Sequence, residues 1–224
     1  IGHGNPMNAI RATPFTRAWN DLGKCLPRPR AILCVSAHWM TRGTWVTHMQ
    51  HPKTIHDFFG FPPELFAVEY PAPGDPETAE RIVSDSTARD SSDPRIQPDD
   101  NTWGLDHGTW SVLKHMYPAA DVPVIQLSLD MTQGPEFHFA LGAKLKTLRE
   151  AGVLILGSGN IVHNLRRVNF SDDAPPYDWA IEFDEWVKRR LLDRDFRSIT
   201  RDATQSAAGQ LSIPTPDHWY PLLY

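Results

Sequence analysis

Residues 31–35 read Ala31-Ile32-Leu33-Cys34-Val35, an uninterrupted apolar run in a chain of 224 residues. A short run of this aliphatic character is typical of a strand that is buried on both faces of a sheet. Two further runs of the same kind lie downstream, at Pro123–Leu129 and Val153–Leu156, and Thr44–Thr47 is a weaker candidate with β-branched and aromatic character. These four segments predict the strands of one sheet.

Helical patterns lie between and after these strands. Asp75 and Pro76 predict a capped first turn of a helix that continues to Val83. Three more helices are predicted at Gly108–Met116, Glu136–Glu150 and Trp179–Leu191 from their start signals or their apolar faces. Strands that alternate with helices predict an α/β fold, with a central, mostly parallel β-sheet flanked by helices.

The whole chain, residues 1–224, is predicted to form a single domain, because it contains no internal repeat and no low-complexity linker. The polar segment Asp90–Asp100 is predicted to be a surface loop and not a domain boundary. Hydrophobic residues make up 41% of the chain, enough for a sizeable core. The chain begins at Ile1 without an initiator methionine and ends at Tyr224, so both termini are expected to be incomplete.

Charge and cysteine content exclude several classes of protein. The formal net charge of −5 argues against a nucleic-acid partner, which usually requires a basic patch. No stretch reaches the roughly 18 uninterrupted apolar residues of a membrane span, so no membrane association is expected. The two cysteines, Cys25 and Cys34, form no disulfide framework, and a cytoplasmic location is expected.

Three histidines follow apolar strands or the tail of one. His38 comes shortly after residues 31–35, His163 follows Val153–Leu156, and His3 follows an Ile-Gly pair that reads as the end of a strand. In open α/β sheets, ligand sites lie at the carboxyl ends of the strands. A single histidine there is more often a hydrogen-bonded structural residue, but three in the same topological position favour a shared site.

The remaining histidines differ in context. His107 stands where a loop enters a helix and is a candidate functional residue. His56 lies in an aromatic-rich loop and His218 in a proline-rich one, and for both the pattern leaves a functional and a structural interpretation open. Four histidines without supporting context are interpreted as surface or helix residues: His48, His51, His115 and His138.

Taken together, the motifs of this chain resemble one known family. They are Gly2–Asn8, Ser36–Trp39, Thr54–Phe58, Tyr70–Gly74, Gly104–Trp110, Gly157–Arg166 and Pro214–His218. Over nearly the whole chain, and in the same order, they resemble the class III extradiol ring-cleavage dioxygenases, in particular the 4,5-DOPA dioxygenase extradiol branch. The resemblance implies a single catalytic domain whose metal site lies at the carboxyl ends of the strands.

The resemblance also implies roles for individual histidines. His3, His38 and His218 correspond to metal-binding positions. His163 corresponds to a residue at the metal site, as a ligand or as an acid/base group. His107 corresponds to a second acid/base histidine, which donates a proton when the O–O bond breaks.

The implied cofactor is one divalent metal ion per chain. Many extradiol enzymes bind Fe²⁺ through two histidines and one carboxylate, whereas this chain offers His218 at the third position. An all-histidine set also suits Zn²⁺. We therefore expect zinc as the bound form and Fe²⁺ for ring cleavage.

The implied substrates are O₂ and a small-molecule catechol such as DOPA, cleaved at the 4,5 bond to a muconic semialdehyde. His56, Trp39, Phe58 and Tyr70 are candidates for lining the aromatic pocket, although ordinary loop packing explains them equally well. The protein is expected to be a monomer or a small homo-oligomer. Two alternatives stay open, a zinc-dependent hydrolase and a non-catalytic metal-binding relative.

Overall fold

One five-stranded sheet organises the chain. The computed structural model describes residues 1–87, 95–169, 171 and 173–224. The strands are β1 (Ala31–Thr41), β2 (Thr44–Thr47), β3 (Ile96–Asp99), β4 (Val124–Asp130) and β5 (Val153–Ser158), and they lie in the order β3-β2-β4-β1-β5. β1 is parallel to β4 and β5, β2 is parallel to β3, and only the β2–β4 contact is antiparallel. The predicted α/β fold with a mostly parallel sheet is confirmed.

Helices pack against both faces of this sheet. Short 3₁₀ segments lie at Pro6–Ala9 and Tyr220–Leu223. Within the residues just given, no helix has both the length and the apolar character that crossing a bilayer requires. In chain order the α-helices are α1 (Pro14–Cys25), α2 (Pro63–Phe66), α3 (Pro76–Thr87), α4 (His107–Met116), α5 (Pro135–Leu145), α6 (Thr147–Glu150), α7 (Asp178–Leu192), α8 (Phe196–Arg201) and α9 (Ala207–Ser212).

The central strand β1 is buried on both faces. Leu33 and Val35 belong to a core cluster that includes Phe183 of α7. Ile32 and Cys34 point to the opposite face and belong to a second cluster with α4. This alternation explains why the sequence at 31–35 is continuously apolar.

β1 is longer than its sequence predicts. The strand continues past Val35 to Thr41, so that His38 lies within the strand and not in the loop after it. The pairing with β4 is irregular there, because Val35 pairs with Leu127 whereas Met40 pairs with Leu129. A bulge of this kind re-aims side chains next to a site, and His38 lies inside it.

The prediction of a surface loop at Asp90–Asp100 is partly wrong. Residues 88–94 lie outside the described part of the chain, but Ile96–Asp99 form β3. β3 is at the edge of the sheet and pairs with β2 alone. An edge position tolerates Pro98, which cannot donate to a ladder, and this proline hid the strand from sequence reasoning.

Two helical segments also differ from expectation. The predicted helix Glu136–Glu150 is divided into α5 and α6 at Lys146, whose backbone angles nevertheless remain helical. Helix α1 is not among the predicted elements, although its start carries a clear signal. The hydroxyl of Thr13 accepts from the Thr16 amide and the Thr16 hydroxyl accepts from the Thr13 amide, with Pro14 in the first turn.

Candidate metal centre

Three histidine side chains from distant parts of the chain converge on one point. Ligand atoms of His3, His38 and His218 all lie within 4.8 Å of one another. The Nε2 atoms of His3 and His38 are 3.2 Å apart. The ring centroid of His218 is 5.2 Å from that of His3 and 5.0 Å from that of His38. These are the three residues to which the family resemblance assigns metal binding.

Backbone pairing at the end of β5 positions two of these histidines. The amide of His3 donates to the carbonyl of Gly159, and the amide of Asn160 donates to the carbonyl of His218, each at 3.0 Å. Gly159 has to be a glycine, because a Cβ atom there would lie 2.2 Å from the His218 carbonyl oxygen. The carboxyl end of β5 therefore brings the first and the last ligand candidates together.

Helix α4 begins against the third histidine. Gly108, in its first turn, allows the close approach, since an added Cβ would lie 2.6 Å from Ser36 Oγ and 3.1 Å from His38 Cδ2. The N-cap residue is Asp106, whose carboxylate accepts from the Thr109 amide and from the Ser36 hydroxyl at 2.7 Å. Burial and the charge of Asp57 raise the pKa of Asp106 to about 6. This buried network ties the start of α4 to the bulge of β1.

In each of the three converging histidines, an oxygen atom next to Nδ1 favours a proton on that nitrogen. His3 Nδ1 is 3.0 Å from Ser158 Oγ, and because Ser158 donates its own proton to the Gly108 carbonyl, it accepts from His3. His38 Nδ1 lies 3.3 Å from an oxygen of Asp57. His218 Nδ1 bonds to Asp217. Because carboxylates only accept, these contacts favour a proton on Nδ1 in each ring and leave Nε2 as the nitrogen for a metal.

Burial keeps the rings of His3 and His38 neutral. Desolvation, reinforced by the neighbouring histidines, holds the pKa of His3 well below its usual value. Desolvation and the charge of His107 lower the pKa of His38 to about 3, although Asp57 acts in the opposite direction. Burial acts to raise the pKa of Asp217, but the hydrogen bonds from His218 and Thr215 hold it well below its usual value. Neutral imidazole beside an ionised carboxylate is the form that binds a metal.

The donor set fits a divalent cation. Two facing Nε2 lone pairs repel each other unless a positive centre lies between them. Nitrogen ligands at about 2.1 Å from one ion stand roughly 3.0–3.4 Å apart for octahedral to tetrahedral angles, and the His3–His38 distance of 3.2 Å falls in this range. Imidazole nitrogen suits zinc and iron alike, so the residues can hold either.

His163 lies beside this cluster. Its ring stacks on that of His218, with centroids 3.4 Å apart and an interplanar angle of 11°. Its ligand atoms lie within 4.8 Å of those of Asp217 and His218, but not within that distance of all three converging histidines. Burial and the neighbouring His218 lower its pKa to about 4, away from the ordinary value near 6.5 that the sequence suggests.

His107 lies on the other side of the cluster. Its ring centroid is 3.9 Å from that of His38 and 5.6 Å from that of His3. It is buried as the first residue of α4, and its Nδ1 bonds to Asp57 at 2.9 Å. The two acid/base candidates thus flank the three ligand candidates, one next to His38 and one next to His218.

Sequence reasoning did not find Asp57. It lies in Thr54–Phe58, where the neighbouring His56 drew attention instead. The carboxylate of Asp57 contacts both His38 and His107. A ligand histidine usually donates its second N–H to a carboxylate or carbonyl, so an acidic partner could be expected. The sequence did not indicate which acidic residue would be that partner.

Of the four aromatic-pocket candidates, Phe58 is the one whose ring contacts an acid/base candidate. Its ring meets that of His107 edge-on with centroids 5.6 Å apart. His56 lies behind Phe58 as seen from His107, because its ring packs against Phe58 and Trp110. Its Nε2 lies 2.9 Å from the Val68 carbonyl oxygen.

The other two candidates pack elsewhere. Trp39 is buried and stacks on Trp103, with centroids 5.7 Å apart and rings 3° from parallel. Tyr70 is only 2% exposed, and its hydroxyl donates to the Tyr117 carbonyl at 2.9 Å. For Trp39 and Tyr70, therefore, the contacts support the packing interpretation and not a pocket lining.

His138 is a helix residue, as expected, but it is not at the surface. It lies on α5 but is fully buried, with Nδ1 2.8 Å from the Tyr224 hydroxyl and its ring 4.2 Å from that of Tyr220. Burial lowers its pKa to about 4. It ties α5 to the end of the chain and has no contact with the converging histidines.

Comparisons with known proteins agree with this geometry. A profile described as the catalytic LigB subunit of aromatic ring-opening dioxygenase matches residues 11–213. A 4,5-DOPA dioxygenase extradiol of Escherichia coli is 46% identical over 226 residues, which cover 100% of this chain and 82% of that protein. A protein of the same description from Beta vulgaris is 39% identical, over 99% of this chain and 82% of its own length.

A solved structure is similar as well. It is the crystal structure of an uncharacterized protein from Escherichia coli, with a TM-score of 0.80 and 42% sequence identity, and the match covers 96% of this chain and 81% of that one. Both the family profile and these relatives span most of the chain. The chain therefore belongs to the family of the catalytic LigB subunit of aromatic ring-opening dioxygenases and is an oxidoreductase of that class.

Proposed function

We propose that the protein opens the ring of a catechol with O₂ at a single divalent metal ion held by His3, His38 and His218. The observation that carries this proposal is the convergence of three imidazoles whose ligand nitrogens all lie within 4.8 Å of one another, with the Nε2 atoms of His3 and His38 3.2 Å apart. When bound, the metal would draw the two catechol oxygens and O₂ together and allow electron density to pass between them. Extradiol cleavage puts both atoms of O₂ into one muconic semialdehyde, so the reaction needs no external reductant.

His163 is the proposed proton acceptor for a catechol hydroxyl. Its lowered pKa keeps the ring neutral at pH 7, so it has a lone pair available. Its backbone amide is fixed by the Ser212 carbonyl at 2.9 Å. Among the residues described, no hydrogen bond holds either ring nitrogen, so the ring is free to receive a proton.

His107 is the proposed proton donor on the opposite side. Its Nδ1 is engaged by Asp57, so Nε2 is the nitrogen left for exchange with an oxygen of the reacting pair. The Phe58 ring packs edge-on with this ring, which is only 5% exposed and therefore has little contact with water. Acid/base groups in such positions typically contribute about 10²–10⁴-fold each to the rate.

Relatives named 4,5-DOPA dioxygenase extradiol support DOPA as the first catechol to test, with cleavage of the 4,5 bond. The residue next to the catechol is proposed to be Phe58, with His56 behind it. The metal-free protein should be loaded with Fe²⁺ under anaerobic conditions and given a panel of catechols, then O₂. We expect O₂ uptake and a yellow semialdehyde with at least one catechol, DOPA first.

The same preparation loaded with Zn²⁺ serves as the control, because zinc has no redox chemistry and cannot support the reaction. Uptake that depends on Fe²⁺ and on the catechol supports the proposal. Fe²⁺-loaded protein that binds the metal but leaves every catechol intact would contradict it and favour a hydrolytic use of the same histidines.

A further inference from the structure

One carboxylate contacts both a ligand candidate and an acid/base candidate. Oδ1 of Asp57 accepts from the backbone amide of His107 at 2.9 Å, and Oδ2 accepts from His107 Nδ1 at 2.9 Å. The same Oδ2 lies 3.3 Å from Nδ1 of His38. The centroids of the two rings are only 3.9 Å apart. Asp57 therefore faces three N–H groups of two neighbouring histidines.

The backbone just before Asp57 is fixed by three contacts. Residue Thr54 forms a parallel bridge with Leu105, and the amide of Ile55 donates to the Leu105 carbonyl at 2.7 Å. The indole of Trp110 on α4 donates to the Ile55 carbonyl at 2.8 Å. The side chain of Asp57 is 15% exposed. Its place is thus set by the fold and is not the chance approach of a mobile surface carboxylate.

We propose that Asp57 is a positioning residue, whose single carboxylate holds both the metal-ligand candidate His38 and the proton donor His107. The position of the ligand and the position of the proton donor are therefore coupled. The inference rests on the proposed function for the role of His107. Its part concerning His38 needs only that the cluster binds a metal.

The chemistry of a carboxylate explains why an amide cannot substitute. Oδ1 of an ionised Asp57 accepts from the His107 amide and Oδ2 faces both Nδ1 atoms, so His38 and His107 can each keep a proton on Nδ1 and direct Nε2 to the centre. An asparagine would place its NH₂ group either against the two Nδ1 atoms or against the His107 amide. In the first case the rings would have to move or take the other tautomer, with the proton on Nε2 alone, and in the second case the His107 amide would lose its acceptor.

The experiment compares Asp57→Asn with wild type in metal binding and in turnover. Metal-free protein is titrated with Co²⁺ against a chromophoric chelator, and the visible spectrum of bound Co²⁺ reports the ligand geometry. We expect Asp57→Asn to lower the affinity about 10–100-fold, as for other outer-shell partners of ligand histidines, and to change the spectrum. At saturating Fe²⁺, kcat should fall by about 10²–10⁴-fold, the contribution of one acid/base group.

A matched control is available at the surface. Asp100 accepts from His48 Nδ1 at 2.7 Å, an exposed pair of the same chemistry. Asp100→Asn should leave the Co²⁺ spectrum, the affinity and kcat at wild-type values.

A double-mutant cycle separates positioning from general damage. In a His107→Ala background, Asp57→Asn should still weaken Co²⁺ binding through His38 but should lower kcat little further, because the proton donor it positions is already absent. An equal loss of kcat in both backgrounds would overturn the coupling. So would an Asp57→Asn variant with wild-type Co²⁺ affinity and spectrum.

Two measurements keep the test decisive if the variant does not fold or the protein has no ring-opening activity. Nitrogen NMR of the Zn²⁺-loaded wild type should find Nδ1 protonated in both His38 and His107, and an unprotonated Nδ1 in either ring would overturn the proposal. The Co²⁺ titration of the wild type should reach one ion per chain. A second ion bound by His38, Asp57 and His107, whose ligand atoms also lie within 4.8 Å of one another, would make Asp57 a ligand instead.

Discussion

The two sides of the histidine cluster are built differently. On one side, Asp57 contacts both His38 and His107. On the other, Asp217 bonds to His218, while His163 is held by stacking on the His218 ring. Each side thus combines one carboxylate, one ligand candidate and one acid/base candidate. In the part of the chain that the structure describes, only the Asp57 side restrains the acid/base ring with a hydrogen bond.

This difference is consistent with one histidine that donates a proton and another that accepts one. A ring fixed by a carboxylate has one nitrogen committed and a defined orientation, as suits a donor that acts on one atom. A stacked ring with both nitrogens unengaged within the described residues can tilt toward a substrate and accept a proton.

Removing a ligand candidate should have the largest effect. His38→Ala deletes one of the converging nitrogens and leaves Asp57 as a buried charge with one partner fewer. We expect metal affinity to fall by more than the roughly 10–100-fold that loss of an outer-shell partner causes, and Fe²⁺-dependent turnover to disappear. Metal content after dialysis measures the effect, and a variant that keeps one tightly bound ion would remove His38 from the ligand set.

Removing the stacked histidine should separate chemistry from binding. His163→Ala deletes the proposed proton acceptor but none of the three converging nitrogens. We expect kcat at saturating Fe²⁺ to fall about 10²–10⁴-fold while the metal content stays near one ion per chain. If the variant loses its metal instead, His163 is a ligand and the two sides differ in coordination and not in proton transfer.

Changing the second carboxylate should have a smaller effect. Asp217→Asn weakens the group that orients His218 and keeps its proton on Nδ1. We expect a loss of about 10–100-fold in metal affinity, measured by competition with a chelator. An unchanged affinity would mean that stacking and the backbone hold His218 without the carboxylate.

Acid should destabilise the metal-free protein, with the smallest effect of the series. The pKa of His38 is lowered to about 3 and that of His163 to about 4, both from 6.5. In that interval the unfolded chain binds more protons than the folded one, so stability is complete above pH 6.5 and is lost as the pH falls through the interval. Tm measured from pH 7 to pH 4.5 should therefore decrease, and less steeply in His163→Gln. Equal slopes in both proteins would mean that the His163 ring is as well solvated in the folded state as in the unfolded chain.

Much of this arrangement can be predicted from sequence, because local rules decide it. The apolar run at 31–35 requires a buried strand, and the residues after buried parallel strands meet at one edge of the sheet. These two rules are enough to place His38 and His163 in the same region of the molecule. His218 follows no predicted strand, and only the resemblance to a family assigned it to the metal.

The remaining features depend on partners that are distant in sequence. The bulge that carries His38 exists because β4 has fewer residues opposite that part of β1. Asp57 is important only because pairing of Thr54 with Leu105 brings it to the start of α4. Tyr70 begins one of the family motifs but is packed in the core, where its hydroxyl bonds to the Tyr117 carbonyl. Long-range contacts, and not composition or periodicity, decide these three cases.

The central claim is that the converging histidines support insertion of O₂ into a catechol ring. The most direct measurement supplies isotopically labelled O₂ to Fe²⁺-loaded protein with a catechol it consumes and analyses the product by mass spectrometry. The account predicts a ring-opened semialdehyde with label from O₂ in its carboxylate. A product whose added oxygen comes only from water, or an intact catechol ring, would contradict it.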